Sequence, residues 1–337
     1  MRRTAVLALA MLVAAAPLTA QRAADSTWSF VVVGHLRGDG PVLHPRLGEL
    51  FDEILAVRPE AVVVAGDLIW GDWWTRPARV DSATREWDQL DSALATLGTR
   101  VWRVPGNHDV GDAVLAELYR TRYGLPPQKQ VVRGSRFLLL NSAWTPPPGD
   151  TAKALHTRGL PLDSAQVAWL RAELASTDRY DHTFMVMHHL LWWEADSAAW
   201  WREVHPLLRD AGVRAVFTGD WGPLKFSHLR RDGIDYYQTS IGLEASLDML
   251  RGRELSRVLE AQFDNFLHVT VTPSAIDVDV ETLGETSSAV FTPAHFEAVH
   301  SYVPPRASRL ERLWDVVGSP ARLTAIALFA PFWFGIG

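Results

Sequence analysis

Five places in this sequence hold side chains able to grip a cation or move a proton directly after an aliphatic run. They are His35 with Arg37, Asp67, Asn107-His108-Asp109, His188-His189, and Asp220. Imidazole, carboxylate and amide oxygen together make a hard-to-borderline donor set suited to Mn, Fe, Zn or Mg. Taken singly, each has a commoner structural role. An Asp after Gly closes turns, and Asn107 or Asp109 can cap the helix that follows them. Together they carry more weight, because neighbouring parallel strands gather their carboxyl ends on one edge, where α/β folds bind ligands.

The elements that must position these residues can be read from hydrophobic period. Trp28 to Gly34, Ala61 to Ala65, Val101 to Val104, Arg136 to Leu140, Phe184 to Met187 and Arg214 to Phe217 are short apolar runs of strand length. Between them, Pro41 to Val57, Asp81 to Leu97, Ala113 to Tyr123, Ser164 to Leu174 and Ser197 to Leu208 repeat their apolar residues at helical spacing. Leu47, Leu50, Phe51, Ile54 and Leu55 form the apolar stripe of the first. The last third turns β-rich at Ile234 to Thr239, Asn265 to Thr272 and Ala275 to Glu281. Strands alternating with helices, followed by strands alone, predict a layered α/β fold with mixed rather than wholly parallel sheets. Trp70 to Arg79 and Ala143 to Gly159 are the loops with room for substrate contacts.

Composition narrows the chemistry. There is no cysteine among the 337 residues, which excludes thiolate metal sites, disulfides and a cysteine nucleophile. The net charge of −6 without a basic block argues against a nucleic-acid polymer as partner, because phosphate backbones are bound by clustered Lys and Arg. A phosphorylated small molecule stays open. No Gly-x-Ser-x-Gly elbow supports a serine hydrolase.

The termini read differently from the body. Arg2 and Arg3, the apolar run Ala5 to Leu18 and the small-residue end at Ala20 form the pattern of a secretory signal over residues 1–20, so export to a periplasmic, secreted or membrane-associated location is expected. After a Pro-rich joint at Pro304-Pro305, residues 284–320 read as a linker with a basic amphipathic piece. Residues 321–337 are nearly all apolar or aromatic. That tail is short of the ~20 residues of a spanning helix. It leaves a docked helix, an interfacial membrane anchor or an incomplete span as readings, with Pro331 and its aromatic neighbours fitting an interface.

Over residues 28–283 the chain resembles the calcineurin-like metallophosphoesterases, the superfamily that includes purple acid phosphatases and many phosphodiesterases. The motifs that carry this resemblance are Gly66-Asp67, Gly106-Asn107-His108-Asp109, His188-His189 and Gly219-Asp220, with weaker echoes at Leu140-Asn141-Ser142 and Gln166-x-x-Trp169-Leu170. It implies a four-layer α/β/β/α sandwich with mixed central sheets, and a divalent metal-dependent hydrolase of phosphate mono- or diesters. By the same resemblance Asp67 is the bridging carboxylate, Asn107 and His188 are metal ligands, and His108 steadies the phosphoryl charge or protonates the leaving group, with Asp109 as its orienting partner.

Two motifs depart from the family pattern together. Asp-x-His after the first strand is replaced by His35-Leu36-Arg37, and Gly-His-x-His by Gly219-Asp220-Trp221-Gly222. Sorted by ion, the first set becomes His35, Arg37, Asp67 and Gly222, whereas the second keeps four donors in Asp67, Asn107, His188 and Asp220. A guanidinium binds no metal but is permanently positive and grips phosphate oxygens bidentately. The expectation is therefore one divalent ion (Mn, Fe, Zn or Mg) per chain, with Arg37 supplying the second positive charge and His35 either a ligand or a partner of Asp220. The alternative is a catalytically impaired relative that binds a phosphorylated ligand.

Overall fold

A computed structural model of the chain describes residues 27–71, 80–143, 161–193, 197–220, 225–242, 263–283 and 290–291. The expected signal segment, the apolar C-terminal segment, most of both substrate loops, and Trp221 and Gly222 lie outside the described residues.

Among the described residues, twelve strands form two six-stranded sheets. The first contains β1 (Trp28–Val33), β2 (Ala61–Ala65), β3 (Arg100–Val104), β10 (Asn265–Val271), β11 (Ile276–Thr282) and β12 (Val290–Phe291), in the order β12-β11-β10-β1-β2-β3. The second contains β4 (Gln128–Val132), β5 (Ser135–Leu139), β6 (His182–Val186), β7 (Ala215–Thr218), β8 (Phe226–Arg231) and β9 (Ile234–Thr239), in the order β4-β5-β6-β7-β9-β8. Both are mixed. β1, β2 and β3 run parallel, with β10 antiparallel to β1. Likewise β5, β6, β7 and β9 run parallel between the antiparallel β4 and β8.

The sheets meet through aromatic side chains of their inner faces. Phe30 of β1 packs on Phe137, Phe184 and Phe217 of the opposite sheet, at ring-centroid distances of 4.9, 5.1 and 5.9 Å. Burying each such ring is worth about 2–3 kcal/mol. The outer face of the first sheet, with Val31, Val33, Val62 and Val64, is covered by helices Leu47–Val57, Val80–Ala95 and Ala113–Tyr123. The other outer face, with Leu138, Met185 and Val216, is covered by helix Ser164–Leu174 and the helical pieces Trp200–Val204 and His205–Asp210. The order of layers is helix, sheet, sheet, helix.

Boundaries differ from the sequence reading where local pairing outweighs periodicity. The first helix begins at Leu47 rather than Pro41, because residues 37–43 fold into a small turn closed by a bridge between Arg37 and Leu43. Leu55, placed on the apolar stripe, is 44% exposed. Among the described residues no helix is long and apolar enough to cross a membrane.

Candidate active site

The carboxyl ends of β1, β2 and β3 from one sheet and of β6 and β7 from the other converge. Backbone approaches backbone there: a Cβ on Gly34 would lie 2.2 Å from the Gly219 Cα, so only glycine fits. His188, which follows β6, crosses to the other sheet and donates from Nδ1 to the Ala65 carbonyl of β2 at 2.9 Å. A Cβ on Gly66, itself at φ +86°, would meet that ring at 2.3 Å. His35 and Asp67 turn away from their strands at φ 61° and 53°. Non-glycine residues seldom adopt this left-handed backbone, and it clusters at functional sites.

Asp67, 2% exposed, is the hub, and its two oxygens face different company. Oδ1 accepts the His108 backbone N–H at 3.1 Å and lies 3.4 Å from His188 Nε2. Oδ2 faces His35 Nε2 at 3.4 Å, Arg37 Nε at 3.6 Å and His108 Nε2 at 4.0 Å. Burial works against its charge, but the surrounding His188, His108, His35 and Arg37 hold the carboxyl below the usual carboxylate range.

Around Oδ1 the arrangement asks for a cation. A carbonyl only accepts, so His188 must carry a proton on Nδ1, and the neutral ring turns a lone pair on Nε2 outward. That nitrogen is buried, makes no hydrogen bond, and stands 3.4 Å from Asp67 Oδ1 and 3.5 Å from Asp220 Oδ1. A lone pair facing two carboxylates is repulsive unless positive charge lies between them. Burial alone would lower the pKa of His188, and Asp67 and Asp220 raise it, which is the same demand met by a proton. The two gaps match the edge of a tetrahedron whose corners stand about 2.1 Å from its centre, the reach of an N or O ligand to a divalent metal. The donor set therefore fits the metal the sequence implied.

Asn107 lies on the turn after β3, 7% exposed and one residue from the N–H that binds Asp67. His189, the second of the pair, is fully buried. Its Nδ1 pairs with the Ser142 hydroxyl at 3.0 Å while Nε2 makes no hydrogen bond. His188, His189 and Asp220 each bring one donor atom within 4.8 Å of the other two.

Around Oδ2 the positive charge is built in. Arg37 is 6% exposed, its backbone N–H is held by the Asp67 carbonyl at 3.0 Å, and its guanidinium lies 5.0 Å from the Trp70 ring centre. His108 donates from Nδ1 to the Trp70 carbonyl at 2.7 Å, which turns Nε2 toward the site. Burial depresses His108 to about 4, with Asp67 opposing and Arg37 assisting. Trp70 in turn is fixed by Glu86, whose Oε2 accepts the N–H groups of Trp70 at 2.8 Å and Gly71 at 3.3 Å.

One expected relationship is different. Asp109 does not orient the His108 ring. It is fully buried and accepts the backbone N–H groups of Leu68 at 2.9 Å, Ile69 at 3.1 Å and Gly106 at 2.7 Å, binding the Asp67 turn to the Asn107 turn. Burial and Asp67 push its carboxyl up to about 7 against the pull of those N–H donors. The orienting group for His108 is the Trp70 carbonyl.

Comparisons with known proteins agree with this architecture. Residues 35–222 match the family described as calcineurin-like phosphoesterase. The fold is similar to that of a purple acid phosphatase from yellow lupin seeds, at 12% identity and a TM-score of 0.52 over 79% of this chain and 53% of that one. A dimetal phosphatase from Danio rerio is similar at 16% identity and a TM-score of 0.52, over 79% of this chain and 98% of that one. So is the Plasmodium protein GAP50, described as the anchor in the inner membrane complex, at 12% identity and a TM-score of 0.53 over 82% and 96%. No curated protein matches in sequence.

Proposed function

We propose that this chain, which belongs to the calcineurin-like phosphoesterase family, is a hydrolase of phosphate esters with a single divalent ion, in which Arg37 supplies the charge of a second. The observation that carries the reading is the division of Asp67. Oδ1 faces His188 Nε2, which also faces Asp220 Oδ1, and Oδ2 faces Arg37 and His35. Asp67, Asn107, His188 and Asp220 would hold the ion, with His35 beside the hub. When bound, a divalent ion supplies Lewis-acid charge to the phosphoryl group and lowers the pKa of the attacking water.

The remaining work falls to the chain itself. Arg37, braced against Trp70, holds phosphoryl oxygens through its N–H donors. His108 presents Nε2 toward the same place; with Nδ1–H held by the Trp70 carbonyl it donates from Nε2 only as the imidazolium, the form that the negative charge of a bound phosphate ester favours, and in that form it steadies developing charge or delivers a proton to the leaving oxygen. Asp109 keeps the two turns in register, and the substrate is a phosphorylated small molecule. The test is hydrolysis of an aryl phosphate and an aryl phosphodiester with Mn, Zn, Fe or Mg added. Turnover that requires metal supports the enzyme. Binding of a phosphorylated ligand without turnover supports the impaired relative, which the altered opening and closing motifs favour.

Export is part of the same proposal, supported by the Arg2-Arg3 and Ala5 to Leu18 pattern. N-terminal sequencing of mature protein recovered outside the cytoplasm tests it, and a retained Met1 contradicts it.

A further inference from the structure

Two adjacent imidazoles follow β6, and the chain holds both in the same way. The rings of His188 and His189 stand 4.5 Å apart between centroids, at 75° to one another. His188 donates from Nδ1 to the Ala65 carbonyl, which leaves its lone pair on Nε2. His189 is fully buried, and its Nδ1 lies 3.0 Å from the Ser142 hydroxyl, which also accepts the His189 backbone N–H at 2.9 Å. The Ser142 backbone carbonyl favours a proton on this ring as well. Nε2 is buried and makes no hydrogen bond, so that proton belongs on Nδ1.

The second lone pair therefore sits on His189 Nε2, buried and unanswered. One ring nitrogen of His189 lies within 4.8 Å of donor atoms on both His188 and Asp220. With Nδ1 taken up by Ser142, Nε2 is the nitrogen left to face them. Donors that share an ion at about 2.1 Å stand about 3–4 Å apart. His188 and Asp220 already have that spacing at 3.5 Å, and a small ring movement brings His189 into it. Histidines that bind metals donate their other ring N–H to an oxygen acceptor, which fixes tautomer and orientation. Both rings here are fixed in that manner.

Building on the phosphoesterase reading, we propose that His189 is a further ligand of the divalent ion, through Nε2, beside Asp67, Asn107, His188 and Asp220. Ser142 is then a positioning residue, holding the His189 ring as the Ala65 carbonyl holds that of His188. The closing motif, Gly219-Asp220-Trp221-Gly222, no longer offers an imidazole. One is supplied instead from the end of the neighbouring strand, β6. Two imidazoles suit Zn or Fe better than Mg, which prefers oxygen donors.

Zinc is accordingly the probe. The intact protein is stripped of metal and reloaded with zinc, as wild type and with His189→Phe, Ser142→Ala and His188→Ala. Affinity is read by chelator competition and the donor set by X-ray absorption. The wild type should show at least two imidazoles on zinc and His189→Phe one fewer, with affinity lower by about 100-fold or more. Ser142→Ala should keep the imidazole count and lose about tenfold in affinity, the effect of freeing a ligand from its orienting partner. A single imidazole in the wild type overturns the proposal, and so does zinc bound as tightly by folded His189→Phe. Either result leaves the one-ion reading standing where His188→Ala has lost the metal. If the wild type binds no zinc, or His188→Ala keeps wild-type affinity, the one-ion reading fails and the role of His189 with it. Because the imidazole count in the wild type alone can refute the proposal, a variant that fails to fold does not shield it.

Discussion

Arg37 and Asp67 lie side by side at the site, Nε to Oδ2 at 3.6 Å, while the other oxygen of the same carboxylate faces His188. One buried acid thus divides its environment between a fixed cation and a place that demands a mobile one. Arg37→Met should lower kcat/KM by roughly 30-fold or more through KM and kcat together, since it removes charge-assisted contacts worth ~2 kcal/mol or more from a buried site. Arg37→Lys should recover only part, because an ammonium lacks the planar fork. Steady-state kinetics on an aryl phosphate decides, and full activity in Arg37→Met removes the reason for invoking it.

His108→Ala should reduce kcat by ~100-fold or more, the usual size of an acid–base contribution, with metal content unchanged. A leaving group of low pKa needs no proton, so the deficit should shrink on an activated ester such as a dinitrophenyl phosphate. An equal deficit on both esters would assign His108 to charge stabilisation alone.

Asp109→Ala should act on the fold. Its carboxylate collects three backbone N–H groups from two turns, and removal leaves all three buried and unanswered. A loss on the order of 3 kcal/mol or more is expected in denaturant unfolding, in metal-free protein as well as in loaded protein. Stability within 1 kcal/mol of wild type would mean that water replaces the carboxylate.

These two residues show how far the sequence could be read. The strand-end positions of Asp67, Asn107, His188 and Asp220 were legible because aliphatic runs ending in Gly-Asp, Gly-Asn or the His188-His189 pair mark the one edge where parallel strands deliver side chains. The service Asp109 performs was not, because accepting backbone N–H groups across 40 residues leaves no trace in residue type. Trp70 was visible only as a loop aromatic, although its carbonyl orients His108. Lys225 and Asp264 pair across 39 residues, a tertiary contact no local pattern announces. In the fold, β4 and β8 went unread for a related reason. Both are edge strands, so Gln128-Lys129-Gln130 and Arg230-Arg231 satisfy one exposed side without the apolar run that marks a central strand. The turn Arg133-Gly134, with both residues at positive φ, was the signal that β4 offered.

His44 also makes stability depend on pH. Its folded pKa of about 4 lies below the ordinary 6.5, so between those values the unfolded chain binds a proton that the native protein refuses. Stability should therefore fall as pH drops from about 6.5 toward 4, by on the order of 2 kcal/mol from this group. His44→Gln should flatten that part of the profile. A wild-type-like slope in the variant would place the acid sensitivity elsewhere.

The central claim is that one ion and one arginine do what two ions do in related enzymes. Protein purified without added metal, then assayed by elemental analysis against accurate protein concentration, tests it most directly. The account predicts about one divalent metal per chain, lost in His188→Ala while the fold persists. Two tightly held ions per chain would contradict it.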